Sequence, residues 1–172
     1  MLFRSWFRNP DLASTFRQIS EEGPDALYGG SLGRRIVDGL RELGGYLTLE
    51  DLQAHSIRWV EPLSADYKGY TLHELPPAGQ GVAALEMLEI VEQFDVAAMG
   101  HNSADYLHTL IEAKKLAYAD LARFVSDPEH MEVQPEALLS EDYIAARARA
   151  IDPDRAADRP EPGEPMTASE TI

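Results

Sequence analysis

The sequence predicts an α+β fold that is mainly helical and carries one small antiparallel sheet. Three observations predict it. Several stretches place apolar residues at helical spacing between clear start and stop signals. One stretch, 56–75, instead holds short aromatic and aliphatic runs separated by turn pairs. Of the 172 residues, 44% are apolar, enough for a real core.

Asn9-Pro10-Asp11 opens the first helix with a capping side chain, a proline in the first turn and an acid beside it. Leu12, Phe16 and Ile19 then share a face, and Gly23-Pro24 stops the helix. A turn over Asp25–Tyr28 leads to a second helix from about Ser31 to Leu43, with Ile36, Val37, Leu40 and Leu43 expected inward. Thr48 caps a short helical turn, and Asp51 three residues on echoes a capping box. Ser56–Val60, Leu63–Tyr67 and Tyr70–Leu75 read as strands, the last two paired through a tight turn at Lys68-Gly69. After Pro76-Pro77-Ala78-Gly79 a helix runs from about Gln80 to Phe94, with Val82, Leu85, Leu88 and Val91 inward. The longest helix is expected from Ser103 to Val125, with a stripe of Leu107, Leu110, Ile111, Tyr118, Leu121 and Val125. Two short helices, at about Pro135–Leu139 and Glu141–Ala150, complete the set.

Residues 1–151 read as one segment and 152–172 as a flexible acidic, proline-rich tail. That tail holds Pro153, Pro160, Pro162 and Pro165, six acids and few large apolar groups. It stops on Ser169-Glu170-Thr171-Ile172, where nothing ends an element, so the chain reads as cut.

Thirty acidic against fifteen basic side chains give a formal charge of −15. Phosphates would be repelled, which argues against nucleic acid and against anionic membranes as partners. Zero cysteine excludes disulfides, thiolate metal sites and a thiol nucleophile. No stretch reaches the roughly 18–20 apolar residues of a membrane span. The opening MLFRSWFRNPDL lacks the apolar core and cleavage site of a secretion signal. The sequence assigns no compartment, because its first residue need not be the natural one.

Single motifs carry little. Gly79-Gln80-Gly81-Val82-Ala83-Ala84 matches a dinucleotide-binding pattern, but Pro76 and Pro77 interrupt the strand that should feed it. A tight turn with close backbone packing is the better reading. The five histidines, 55, 73, 101, 108 and 130, show no zinc spacing and no H-E-x-x-H. Neither a metal nor a cofactor is expected. There is no G-x-S-x-G elbow. Of Lys114-Lys115, one should pair with an acid such as Glu112 or reach solvent.

The order of the segments goes further. Asn9-Pro10-Asp11-Leu12-Ala13, Glu22-Gly23-Pro24-Asp25-Ala26-Leu27-Tyr28 and Gly44-Gly45-Tyr46-Leu47-Thr48-Leu49-Glu50-Asp51-Leu52 resemble the γ-glutamyltranspeptidase family. So do Glu61-Pro62-Leu63, Tyr67-Lys68-Gly69-Tyr70, Glu74-Leu75-Pro76-Pro77-Ala78-Gly79-Gln80-Gly81 and Gly100-His101-Asn102-Ser103. Ile111-Glu112-Ala113-Lys114-Lys115-Leu116-Ala117-Tyr118-Ala119-Asp120 is a further close match. The resemblance covers essentially the whole chain and looks like the C-terminal half of the large subunit.

That resemblance implies part of an Ntn-hydrolase αββα sandwich, made as one precursor. It implies a threonine that cleaves its own upstream peptide bond and then attacks a γ-glutamyl amide such as glutathione. The freed α-amine acts as base, and the acyl-enzyme passes to water or to an amino-acid or peptide acceptor. The implied partner is a small subunit from the same precursor. By position, Ser169-Glu170-Thr171 resembles the family's cleavage site, with Thr171 as nucleophile and Glu170–Thr171 as the processing bond. Ile172 departs from the threonine usual after the nucleophile, which leaves room for a related amidohydrolase or acylase. A non-catalytic helical interaction module is the alternative from another class. With its substrate-holding regions elsewhere, the 172-residue chain alone should be inactive, and its unpartnered apolar surface should favour association.

Overall fold

The structure, a computed structural model, describes residues 7–166. Its contacts divide the chain into two compact units, Met1–Arg58 and Trp59–Ile172. No glycine or proline marks that boundary within 56–60.

The described residues of the first unit form four helices: α1 (Pro10–Glu22), α2 (Asp25–Tyr28), α3 (Ser31–Glu42) and α4 (Leu49–Ala54). Their starts follow the expected chemistry. Asn9 Oδ1 accepts from Leu12 N–H at 2.9 Å. At α4, Thr48 N–H donates to Asp51 Oδ2 at 2.8 Å and Asp51 N–H to Thr48 Oγ1 at 3.2 Å, a complete capping box. The apolar faces depart from expectation. Nothing on α1 is buried, and Phe16 is 61% exposed. On α3 the buried residues are Leu32, Gly33 and Val37, whereas Leu43 stands in solvent. The α2 helix packs against the other three, and small side chains such as Ala26 suffice at its contacts.

The boundary falls in irregular chain. Ser56–Val60 forms no strand, and Trp59 is 98% exposed. Without a paired neighbour its backbone gains no ladder hydrogen bonds. The sheet of the described residues has two strands, β1 (Leu63–Tyr67) and β2 (Tyr70–Glu74), antiparallel from Leu63↔Glu74 to Tyr67↔Tyr70. The expected turn joins them. Lys68 and Gly69 have φ of 50° and 82°, the two left-handed residues of a type I′ hairpin.

Four helices follow: α5 (Gly81–Glu92), α6 (Ala104–Phe124), α7 (Pro135–Leu138) and α8 (Glu141–Arg149), with one turn of 3-10 helix at Pro128–His130 before α7. Ser103 caps α6, its Oγ accepting from Tyr106 N–H at 3.1 Å. The core has two clusters. Leu63 and Ala65 of β1 meet Val82 and Leu85 of α5 with Val133, Leu138 and Tyr143. Ile90 and Val91 of α5 meet Ala113 and Leu116 of α6 with Ile144 and Ala148 of α8. Helix α5 thus touches β1, α6, α7 and α8.

Two inward faces differ from the expected ones. On α5, Leu88 is only half-buried, and the charged Glu86 is buried instead. On α6 the buried row is Thr109, Glu112, Ala113, Leu116, Ala117 and Asp120. Leu107, Ile111 and Tyr118 of the expected stripe point outward, at 43%, 53% and 42% exposure. The reason is physical. Ala113 and Ala117 let α6 approach α5 closely, and the carboxylates on that face find partners inside.

The Gly79–Ala84 motif proves to be close packing. A Cβ on Gly81 would stand 2.8 Å from Glu74 Cβ and 2.9 Å from the Leu75 carbonyl oxygen. Residues 152–166 form neither helix nor strand. A freely solvated chain is expected there, yet its backbone is bound at several points, as described next.

Candidate functional site

Glu170 and Thr171, the candidate cleavage pair, lie outside the described residues. The described chain leads towards them, and its most unusual chemistry sits beside that approach. Among the described residues, Glu86, Thr109, Glu112, Asp120 and Arg147 are the buried polar and charged side chains. Three of the five meet in one place.

Asp120, fully buried on α6, carries its Oδ2 2.8 Å from Arg147 Nε of α8. Its Oδ1 accepts from Gly163 N–H at 2.7 Å. Arg147 Nη2 donates to Leu116 O at 3.2 Å and to Glu161 O at 3.1 Å. One ion pair thus fixes two helices to each other and holds the backbone at residues 161 and 163. Hydrogen bonds of this charged kind are about twice as strong as neutral ones. Position 163 is also sterically tuned. A Cβ there would fall 2.7 Å from Tyr143 Cε2 and 2.8 Å from Cζ, so glycine is the residue that lets the chain lie on the ring.

A second pair of contacts lies one turn earlier on α6. Lys115 Nζ bonds Glu112 Oε1 at 2.6 Å, as its sequence neighbourhood predicts. Glu112 Oε2 accepts from Ala157 N–H at 3.2 Å, and Lys115 Nζ donates to Ala157 O. His108 adds a hydrogen bond from Nε2 to Asp152 O at 2.8 Å. Burial works against a charge on Glu112. The hydrogen bonds from Lys115 and Ala157 and the Lys115 charge outweigh it, leaving the carboxyl below its ordinary range.

Glu86 is the outlier. It is 1% exposed, and its Oε1 has no hydrogen-bond partner among the described residues. Burial, a hydrogen bond with Asp120 and the Asp120 charge push its carboxyl up to about 10, against 4.5 ordinarily. At neutral pH Glu86 is therefore a protonated acid beside Asp120. Burial and the same Asp120 charge also raise the Tyr143 phenol.

The sign of the pH effect follows. Between about 4.5 and 10 the folded state holds a proton on Glu86 that the unfolded state has lost, so stability falls as pH rises. Glu86→Gln keeps a donor for Asp120 and has no proton to lose. It should stabilise the protein by about 2–3 kcal/mol at pH 7, and the gain should vanish below pH 4.5. Denaturant unfolding at pH 4 and pH 7 checks this, and a variant weaker at both would contradict it.

Sequence reasoning singled out neither Glu86 nor Arg147. The available signal was a lone carboxylate within the apolar α5 run Val82-Ala83-Ala84-Leu85-Glu86-Met87-Leu88. Among the described residues no cluster of three His, Asp or Glu could hold a metal ion. His55 stacks on Tyr28 at 4.9 Å between ring centres.

Known proteins give this geometry a context. The γ-glutamyltranspeptidase family profile matches residues 3–171. The chain belongs to that family. It is 37% identical over 145 residues to a glutathione hydrolase-like YwrD proenzyme of Bacillus subtilis, covering 84% of this chain and 28% of that protein. A cephalosporin acylase structure from Bacillus halodurans superposes with a TM-score of 0.80 at 40% identity, over 94% of this chain and 29% of its own. The γ-glutamyltranspeptidase of Pseudomonas nitroreducens, solved with L-DON, gives 0.74 at 33% identity, over 90% and 48%. The chain therefore shares the Ntn-hydrolase fold of this family, and it spans about a quarter of the length of the curated relatives it matches.

Proposed function

We propose that this chain is the stretch of a γ-glutamyl transferase or hydrolase that leads into its nucleophile. Thr171 is that nucleophile, and Glu170–Thr171 is the processing bond. The observation that carries this reading is a family match that runs through residue 171, together with relatives that are proenzymes.

The chemistry runs as follows. The Thr171 hydroxyl attacks the Glu170 carbonyl carbon, and the peptide nitrogen leaves as the α-amine of Thr171. Water then hydrolyses the resulting ester, freeing the Glu170 carboxylate and the hydroxyl. In the mature enzyme that amine removes the hydroxyl proton as Oγ attacks a γ-glutamyl amide. The amine or thiol-bearing peptide of the donor departs with a proton, leaving an ester on Thr171. Water or an amino-acid or peptide acceptor takes the acyl group. Donors aimed at the developing oxyanion must come from other parts of the protein.

The partner in this reading is a small subunit from the same precursor. The outward row of Leu107, Ile111 and Tyr118 on α6 supports it, because such side chains seek cover. Among the described residues no helix is long and apolar enough to cross a membrane.

A second reading is an acylase acting on another amide. The 40% identity to a cephalosporin acylase and the Ile172 departure favour it. Protein expressed from the complete reading frame should release p-nitroaniline from γ-glutamyl-p-nitroanilide, while the 172-residue chain alone stays at background. Turnover by the chain alone would overturn the need for a small subunit. Deacylation of a cephalosporin without γ-glutamyl turnover would select the acylase.

A further inference from the structure

Catalysis by Thr171 needs the bond before it to reach oxyanion-stabilising groups of the folded body. The described chain shows what controls that reach. Helix α8 ends at Arg149, and Ile151 is the last buried residue of the core proper. Thr171 lies twenty residues beyond Ile151, a span of up to about 70 Å if extended. It lies only eight residues beyond Gly163, a span of about 28 Å.

We propose that the buried Asp120–Arg147 pair is a latch that positions the chain for self-cleavage at Glu170–Thr171. The proposal rests on the reading of Thr171 as nucleophile. The latch grips backbone, not side chains: Gly163 N–H on Asp120 and Glu161 O on Arg147. Its grip is therefore insensitive to the acidic and proline-rich composition of the segment, except at Gly163, where the Tyr143 ring admits no side chain. Pro160 and Pro162 flank Glu161 and stiffen the gripped stretch. The Glu112–Lys115 pair at Ala157 is an earlier hold on the same strand of chain. Asp120 and Arg147 are thus positioning residues, acting on the scissile bond through residues 161–163.

The size of the effect follows from tether length. Effective concentration falls as roughly the −3/2 power of the chain length between hold and bond, so moving the last hold from Gly163, eight residues before Thr171, to Ala157, fourteen before it, lowers it about twofold. A latch that also sets direction loses more.

The test uses the complete reading frame with Gly163→Val, a change on the gripped segment that lies outside α5, α6 and α8. Conversion of precursor into two subunits is followed by gel. Melting temperature and kcat/KM of the matured fraction are read alongside. The latch predicts conversion slowed at least about twofold, with the melting temperature and matured kcat/KM unchanged. The double variant Asp120→Leu with Arg147→Met, which strands no buried charge, should slow conversion in the same way. Conversion of Gly163→Val at the wild-type rate would overturn the latch. So would slowing matched by an equal loss of matured kcat/KM and of melting temperature, which is a structural role. Thr171→Ala run in parallel separates the two levels: normal conversion of that variant overturns the nucleophile reading itself.

Discussion

Thr171→Ala should leave the protein from the complete reading frame as one uncut chain. Its γ-glutamyl-anilide turnover should fall at least about a thousandfold, the scale on which loss of a covalent nucleophile is felt. Both losses have one cause. In the proposed reading the hydroxyl that opens the Glu170–Thr171 bond is the same hydroxyl that accepts the acyl group, and the α-amine that activates it exists only after cleavage. Thr171→Ser keeps the hydroxyl and should retain part of both steps. A Thr171→Ala protein that matures and turns over normally would require another nucleophile.

The second large effect concerns the buried pair. Arg147→Met keeps the aliphatic bulk but strips the charge from beside Asp120, a carboxylate with no exposed surface. An uncompensated buried charge costs about 3–5 kcal/mol, a large share of an ordinary domain's stability. The Leu116 and Glu161 carbonyls lose their donor as well. Pairing the change with Asp120→Leu removes the stranded charge and should recover much of the loss, because apolar replacement of a whole buried pair is close to neutral. Denaturant midpoints of the two variants decide it. A single variant within about 1 kcal/mol of wild type would mean the pair is worth little to the fold.

These expectations show what the amino-acid pattern could and could not carry. Local signals were legible. Asn9, Thr48 with Asp51, and Ser103 all cap the helices they announce, and Lys68-Gly69 makes the hairpin its residue types demand. Such features depend on neighbours within four positions. The faces of α3 and α6 were misjudged, because apolar counting favours Leu43, Leu107 and Ile111 over the small and polar residues that are buried. Burial of Glu112 and Asp120 depends on partners forty or so residues away, at Ala157 and Gly163, which no helical period encodes. Glu86 left only a lone carboxylate in an apolar run as its signal, because its partner Asp120 lies thirty-four residues away. A glutamate reads as solvent-facing unless its proton is known to stay on. The family was legible through the order of many short motifs, and the family profile bears it out.

The central claim is that this chain ends its run into a self-cleaving threonine. Intact-mass and N-terminal analysis of the protein expressed from its complete reading frame tests it most directly. The account predicts two chains, the smaller beginning Thr171-Ile172 and the larger ending at Glu170. A single uncut active chain, or a smaller subunit beginning at any other residue, would contradict it.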